Sequence, residues 1–218
     1  MLRRLPSALA VTALAAALAP GLATADDGPW VLRVRALRIA TADKSDSVPV
    51  LGLPEDSIHV SSKWAPDFDA EYFFTPSWST ELLLTVPQQH DVTLQGVGAA
   101  GTFKHLPPTL TFKYQFLPNA TVRPYVGIGI NVTFIMDADV YVPAATAGGS
   151  SLPLKLDRTS VGPAGQVGFD IRISEHWFGS VDAKYVGIRS DVKLSDGTKV
   201  SNVRIDPWLL GVGAGYRF

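Results

Sequence analysis

From Lys63 to Phe74 every second residue is apolar. Trp64, Pro66, Phe68, Ala70, Tyr72 and Phe74 fall on one face, and Asp67, Asp69 and Glu71 on the other. Successive side chains of a strand point to opposite faces, so one face is wholly apolar and the other carries three carboxylates. The pattern recurs at Thr109–Phe116, where Leu110, Phe112, Tyr114 and Phe116 oppose Thr109, Thr111, Lys113 and Gln115. It recurs at Val122–Phe134, where Val126, Ile128, Ile130 and Val132 oppose Arg123, Tyr125, Gly127, Gly129 and Asn131. In Val161–Ile173, Val167, Phe169 and Ile171 oppose Gln166, Asp170 and Arg172.

Four further strands are less regular. Trp30–Ala40 sets Leu32 and Val34 against Arg33 and Arg35, and its phase then slips near Ala36-Leu37, which suggests a bulge. Trp78–Val86 sets Leu82, Leu84 and Val86 against Ser79, Glu81 and Thr85, with Leu83 as an apolar exception. Trp177–Ile188 places Asp182 and Lys184 opposite Val181 and Ala183. Trp208–Phe218 alternates Leu210, Val212, Ala214 and Tyr216 with Gly211, Gly213 and Gly215. Eight strands result, and no amphipathic helix.

The connections choose among eight-stranded architectures. Thr75–Ser77, Leu117–Thr121 and Ser174–His176 are short and rich in turn formers. The other four, about 42–62, 87–105, 135–158 and 189–203, are long, and the two kinds alternate. Outer-membrane barrels have short periplasmic turns and long extracellular loops. A soluble barrel would show its apolar side chains to the inside. A purely apolar face this large on the outside is tolerated only against lipid. The expected fold is therefore all-β, an eight-stranded antiparallel up-and-down transmembrane β-barrel.

The start of the chain fits that destination. Arg3 and Arg4 precede the apolar run Ala8–Ala19, then Pro20-Gly21 and Ala23-Thr24-Ala25. The run is too short to span a bilayer, and it reads as a signal peptide over residues 1–25 with cleavage after Ala25. The mature barrel is then 26–218, in the outer membrane of a Gram-negative bacterium. The absence of cysteine excludes disulfides and thiolate metal sites, and a net charge of −1 gives no basic surplus for nucleic acid. Trp30, Trp64, Trp78, Trp177 and Trp208 all lie towards strand ends, where interfacial aromatic girdles sit. The terminal Tyr216 and Phe218 read as the signal recognised by the barrel assembly machinery.

Several segments carry a family likeness: His105-Leu-Pro-Pro-Thr109, Arg123-Pro-Tyr-Val-Gly127, Gly162–Asp170, Asp206-Pro-Trp208 and Gly215-Tyr-Arg-Phe218. Together they resemble the OmpW family, whose members include the alkane-uptake protein AlkL, over nearly all of residues 26–218. The resemblance implies passive uptake of small hydrophobic molecules. It does not identify the substrate, and no family motif is readable in residues 135–158.

Motifs for other chemistry are thin. Gly96–Gly101 satisfies G-x-G-x-x-G, but Pro107-Pro108 follows instead of a helix, so a flexible loop is expected and no cofactor. His59, His90, His105 and His176 are far apart in sequence with no close His neighbour, and no metal site is expected. No nucleophile, base and orienting group come together to suggest a lipid-modifying enzyme.

The inward charges form a candidate lumen belt. Arg33, Arg35, Lys113, Arg123, Arg172 and Lys184 face Asp67, Asp69, Glu71, Glu81, Asp170 and Asp182. An ion-paired core fits an eight-stranded interior, which side chains about fill. A polar pore is the alternative. If the belt is closed, transport leaves the barrel elsewhere. Pro107, Pro108, Pro124, Pro163 and Pro207 lie in or near strands and each removes a ladder donor. The expected hydrophobic path and lateral gap comprise Leu83, Leu106, Pro107, Pro108 and Pro124, releasing substrate into outer-membrane lipid. The prolines could equally mark strand ends and bulges. The functional alternative is a structural, adhesive or receptor barrel that acts through its extracellular loops.

Overall fold

A computed structural model describes residues 28–42, 44–48, 53–143, 149 and 151–218. The expected signal peptide lies outside them. The described residues contain fifteen strands and no helix. In chain order they are β1 (Trp30–Ala40), β2 (Lys44–Ser45), β3 (Ile58–Val60), β4 (Lys63–Phe73) and β5 (Trp78–Thr85). Then come β6 (Gln88–Leu94), β7 (Gly98–Leu106), β8 (Thr109–Gln115), β9 (Val122–Val142) and β10 (Leu152–Leu156). The last are β11 (Thr159–Arg172), β12 (Trp177–Val186), β13 (Arg189–Leu194), β14 (Lys199–Arg204) and β15 (Trp208–Arg217).

Eight strands close on themselves. Antiparallel pairing runs β1–β4–β5–β8–β9–β11–β12–β15, and β15 pairs back onto β1. Closure removes the ladder edge along the paired lengths of these eight strands, and an open edge is costly in hydrocarbon. The three short turns share one end of this barrel with Trp30 and Phe218, whose backbone N–H donates to the Trp30 carbonyl at 2.9 Å.

The alternation read from the sequence is the wall's inside and outside. Phe68, Phe112, Ile128, Val167 and Val212 are all about half exposed or more, although they are large and apolar. The five tryptophans point outwards in two groups. Trp30, Trp78 and Trp177 lie at the turn end, packed among rings such as Tyr72, Tyr114 and Tyr216. Trp64 and Trp208 lie at the opposite end, where Tyr185 packs on Trp208 at 5.6 Å. An apolar band between two aromatic girdles is what a membrane interface selects.

Two expectations are corrected. First, β1 has no bulge. Its pairing with both neighbours is unbroken, and Leu37 and Ile39 are fully buried on the same inward face as Arg33 and Arg35. The phase slip in the sequence is a change in what fills the interior. Second, the long connections are strands for much of their length. β6 and β7 form a hairpin, β10 pairs with β9 and β13, and β14 pairs with β13 and β2. The wall thus continues beyond the membrane. Gly96–Gly101 closes the β6–β7 hairpin and enters β7, and is no open loop. Gly101 has φ 123° there, and a Cβ on it would lie 1.9 Å from the Asp139 carbonyl oxygen, so only glycine fits.

Candidate functional site

The lower half of the interior, towards the turn end, is an ion-paired plug. Arg33 and Arg35 project from β1 between the carboxylates of its β4 neighbour, following the register Arg33↔Asp69 and Arg35↔Asp67. Arg33 contacts Asp69 at 3.2 Å, Asp170 at 2.9 Å and also Glu71. Arg35 contacts Asp67 and Asp69, each at 2.8 Å. Glu81 accepts Lys113 on one oxygen and Lys184 on the other, both at 2.8 Å. Lys113 also reaches Glu71 at 3.0 Å and lies 4.0 Å from the centre of the Tyr125 ring. All these side chains are buried.

Small residues make the plug possible. Gly213 and Gly215 of β15 face inwards beside the arginines. A Cβ on Gly213 would lie 2.0 Å from the Val34 carbonyl oxygen, and one on Gly215 would lie 2.2 Å from the Phe178 ring. The Arg33 guanidinium sits 4.9 Å from the centre of that same Phe178 ring. The polar filling and the glycine stripe are thus two halves of one packing arrangement.

Of the twelve expected belt residues, eleven are buried inside and most are joined as described. Arg123 lies 5.5 Å from the centre of the Phe178 ring, and Asp182 accepts the Tyr125 hydroxyl at 3.1 Å. Arg172 departs from expectation. It is exposed at the turn end of β11, outside the buried network.

The upper half of the interior is apolar. Leu37, Ile39, Ala65, Val186, Ile188 and Leu209 begin it, and the strand extensions continue it with Val60, Val92, Phe103, Val140 and Val203. It holds two adjoining cavities of about 40 and about 30 Å³, lined almost wholly by aliphatic and aromatic side chains. Leu83 is fully buried at the boundary, paired across to Asp69 on β4 and to Thr109 on β8. It is the apolar member of the layer that caps the plug.

One seam of the wall is open at this level. Pairing of β5 with β8 ends at Leu83↔Thr109, and pairing of β6 with β7 resumes at Gln88↔His105. The register has shifted by one residue between them. Leu84–Pro87 and Leu106–Pro108 have no ladder partners across this seam among the described residues. Pro87 and Pro107 have no N–H to offer it. On its other side the strand is intact: Leu106 pairs with Phe134, and Val132 donates to the Pro108 carbonyl at 3.0 Å. Pro107 is buried, and Leu106 and Pro108 are half-buried.

Leu106, Pro107 and Pro108 therefore line the break, and Leu83 lies at its lower corner. Pro124 does not belong with them. It is exposed near the turn end of β9, paired with Phe169, and its carbonyl accepts from Phe116 at 2.7 Å. Pro163 likewise pairs within β11, with Ile130. Tyr216 and Phe218 pack together at 5.0 Å on the lipid side of the closing strand.

The structure also brings together residues that the sequence kept apart. His90 and His105 stack with ring centroids 4.7 Å apart, which corrects the expectation of no close His neighbour. No group of three or more potential metal ligands occurs among the described residues.

The OmpW family matches residues 26–218. Outer membrane protein W of Vibrio cholerae is 32% identical over 200 residues, covering 88% of this chain and 89% of that one. A dibenzothiophene metabolism operon protein, PahQ of Pseudomonas aeruginosa, is 27% identical over 203 residues, with 89% and 90% covered. The crystal structure of OprG from Pseudomonas aeruginosa superposes with a TM-score of 0.72 at 29% identity, covering 88% of this chain and 96% of that one. An all-β barrel closed by eight strands, banded for a membrane and matched along its length by these relatives, places the chain in the outer membrane and in the OmpW family.

Proposed function

We propose that the protein admits small hydrophobic molecules passively and releases them sideways into the outer membrane. One observation carries the reading. The interior turns from apolar to ion-paired at a single level, and the strand ladder is open at that same level. A hydrocarbon moving down from the extracellular end meets Leu83 and then buried, paired charges. Pushing between them would strip their partners without replacing the interaction. The seam beside Pro107 and Pro108 leads instead to lipid, where each CH₂ removed from water is worth about 0.8 kcal/mol.

The two cavities each have space for a few waters at most, so passage needs the hollow's side chains and the seam to move apart. The seam, lacking cross-strand hydrogen bonds, is where the wall gives most readily. The PahQ relative, named for dibenzothiophene metabolism, suits an apolar substrate class.

The test compares a hydrophobic probe with an ion. Vesicles carrying the protein should take up n-octane faster than empty vesicles, and planar bilayers carrying it should conduct little current. Large steady conductance with no gain in octane uptake would favour a polar pore. Neither activity would leave a receptor or structural role for the extracellular strands.

A further inference from the structure

The β6–β7 hairpin holds a polar feature that neither the plug nor the hollow uses. His90 and His105 both point inwards and both are buried. Their rings are nearly parallel, with 8° between the planes. His90 Nδ1 lies 2.5 Å from the Ser61 carbonyl oxygen. A carbonyl only accepts, so Nδ1 carries the proton and His90 Nε2 keeps a bare lone pair. That Nε2 is buried without a hydrogen-bond partner, and so is His105 Nδ1. Nearly all buried polar atoms in folded proteins have partners, so two orphans on stacked rings point to something that completes them.

The surroundings narrow the choice. Phe103 stacks on His90 at 5.7 Å and also lines the larger apolar cavity, and Ile135 pairs with His105 across to β9. Pro107 follows His105 by two residues. The pair therefore stands where the hollow meets the open seam. A single metal ion cannot serve both rings. An imidazole lone pair lies in the ring plane, and two stacked, parallel planes share no point for the ion. An ion of either sign would lose its hydration against Phe103 and Ile135. A neutral hydrogen-bonding group with an apolar remainder suits both the bare His90 Nε2 and its apolar surroundings.

We infer that His90 and His105 form an anchoring site for the hydroxyl of a small hydrophobic alcohol or phenol. The O–H donates to His90 Nε2, and His105, stacked on His90, holds the accepting ring in place. The hydrocarbon remainder lies in the hollow against Phe103. The site rests on the uptake reading and deepens it, because it makes the path prefer oxygenated apolar molecules over bare hydrocarbons.

The experiment uses two probes of equal chain length, 1-octanol and n-octane. With the full chain in lipid nanodiscs, 1-octanol should shift the His90 and His105 imidazole nitrogen resonances, and n-octane should leave them in place. In vesicle uptake, His90→Phe should lower the ratio of octanol to octane uptake about tenfold, the worth of one hydrogen bond at the upper end of the usual range. Equal perturbation of the histidine resonances by both probes, no perturbation by either, or an unchanged ratio overturns the anchoring site. If His90→Phe does not assemble, the nanodisc measurement on the unmodified chain decides alone. Failure of the unmodified protein to pass n-octane counts against the uptake reading instead, and octanol binding still judges the histidines.

Discussion

Arg35 and Leu37 stand two residues apart on the inward face of β1, and the boundary between plug and hollow runs between them. Arg35 is held by Asp67 and Asp69, while Leu37 packs in the apolar cluster with Ile39 and Leu209. Substitutions on the two sides should therefore fail differently. Leu37→Ala removes a fully buried side chain and should cost about 2–5 kcal/mol of stability. Thermal loss of the heat-modifiable band should move to lower temperature while ion conductance stays low. A rise in conductance would place Leu37 in the seal and contradict the boundary.

Asp69→Ala acts below it. Arg33 and Arg35 each lose a carboxylate while remaining buried. Breaking a buried pair by removing one partner costs about 3–5 kcal/mol. Denaturant unfolding in detergent should show that loss, with little gain in conductance because Asp67, Glu71 and Glu81 still fill the lumen. Unchanged stability would mean that the network is not what holds the interior together.

The histidine pair makes the outer hairpin sensitive to acid. Burial pushes His105 down to about 3, and His90 is lowered for the same reason, with Lys63 adding to it and the Ser61 carbonyl and Asp91 opposing. An unfolded hairpin binds protons near 6.5, whereas the folded one resists them until far lower pH. Below 6.5 the open form holds more protons, so stability falls as pH falls and is fully present above that value. Amide exchange in β6 and β7 should therefore be faster at pH 4.5 than at pH 7.5, after correction for intrinsic rates. His105→Phe should flatten the difference. Equal protection at both values would contradict the buried, neutral pair.

Removing Phe218 should reduce assembly. The residue pairs its backbone with Trp30 at the barrel's closure and packs on Tyr216. Surface-exposed, heat-modifiable protein should drop at equal synthesis. Normal levels would remove the terminal aromatic from the assembly signal.

The eight membrane strands were legible because lipid outside and charge inside write a period of two into the chain. Legibility stopped where the interior ceased to be charged. Leu37 and Ile39 looked like a register slip because an apolar residue facing inwards breaks the code without breaking the strand. The extensions are hidden in the sequence for a related reason. Asp91-Val92-Thr93-Leu94 does alternate, but outside the membrane the apolar side points in, and a search for outward apolar faces misses it. The His90–His105 stack required the hairpin register around Gly96-Val97, which fifteen residues of separation do not reveal. The open seam was half visible. Pro107 and Pro108 mark one side, whereas Pro87 opposite sits in a stretch that reads as loop and Pro124 lies in an intact ladder.

The sideways route is tested most directly by rebuilding the seam. Pro107→Val with Pro108→Thr adds two backbone donors between β7 and β8, Pro107 facing the unpaired stretch Leu84–Pro87 and Pro108 facing the intact ladder to β9. The double variant should assemble with normal heat-modifiability and surface level. Its uptake of n-octane should fall severalfold, since the wall must now break hydrogen bonds to open. Uptake equal to that of the unmodified protein, at equal surface level, would contradict release through this seam.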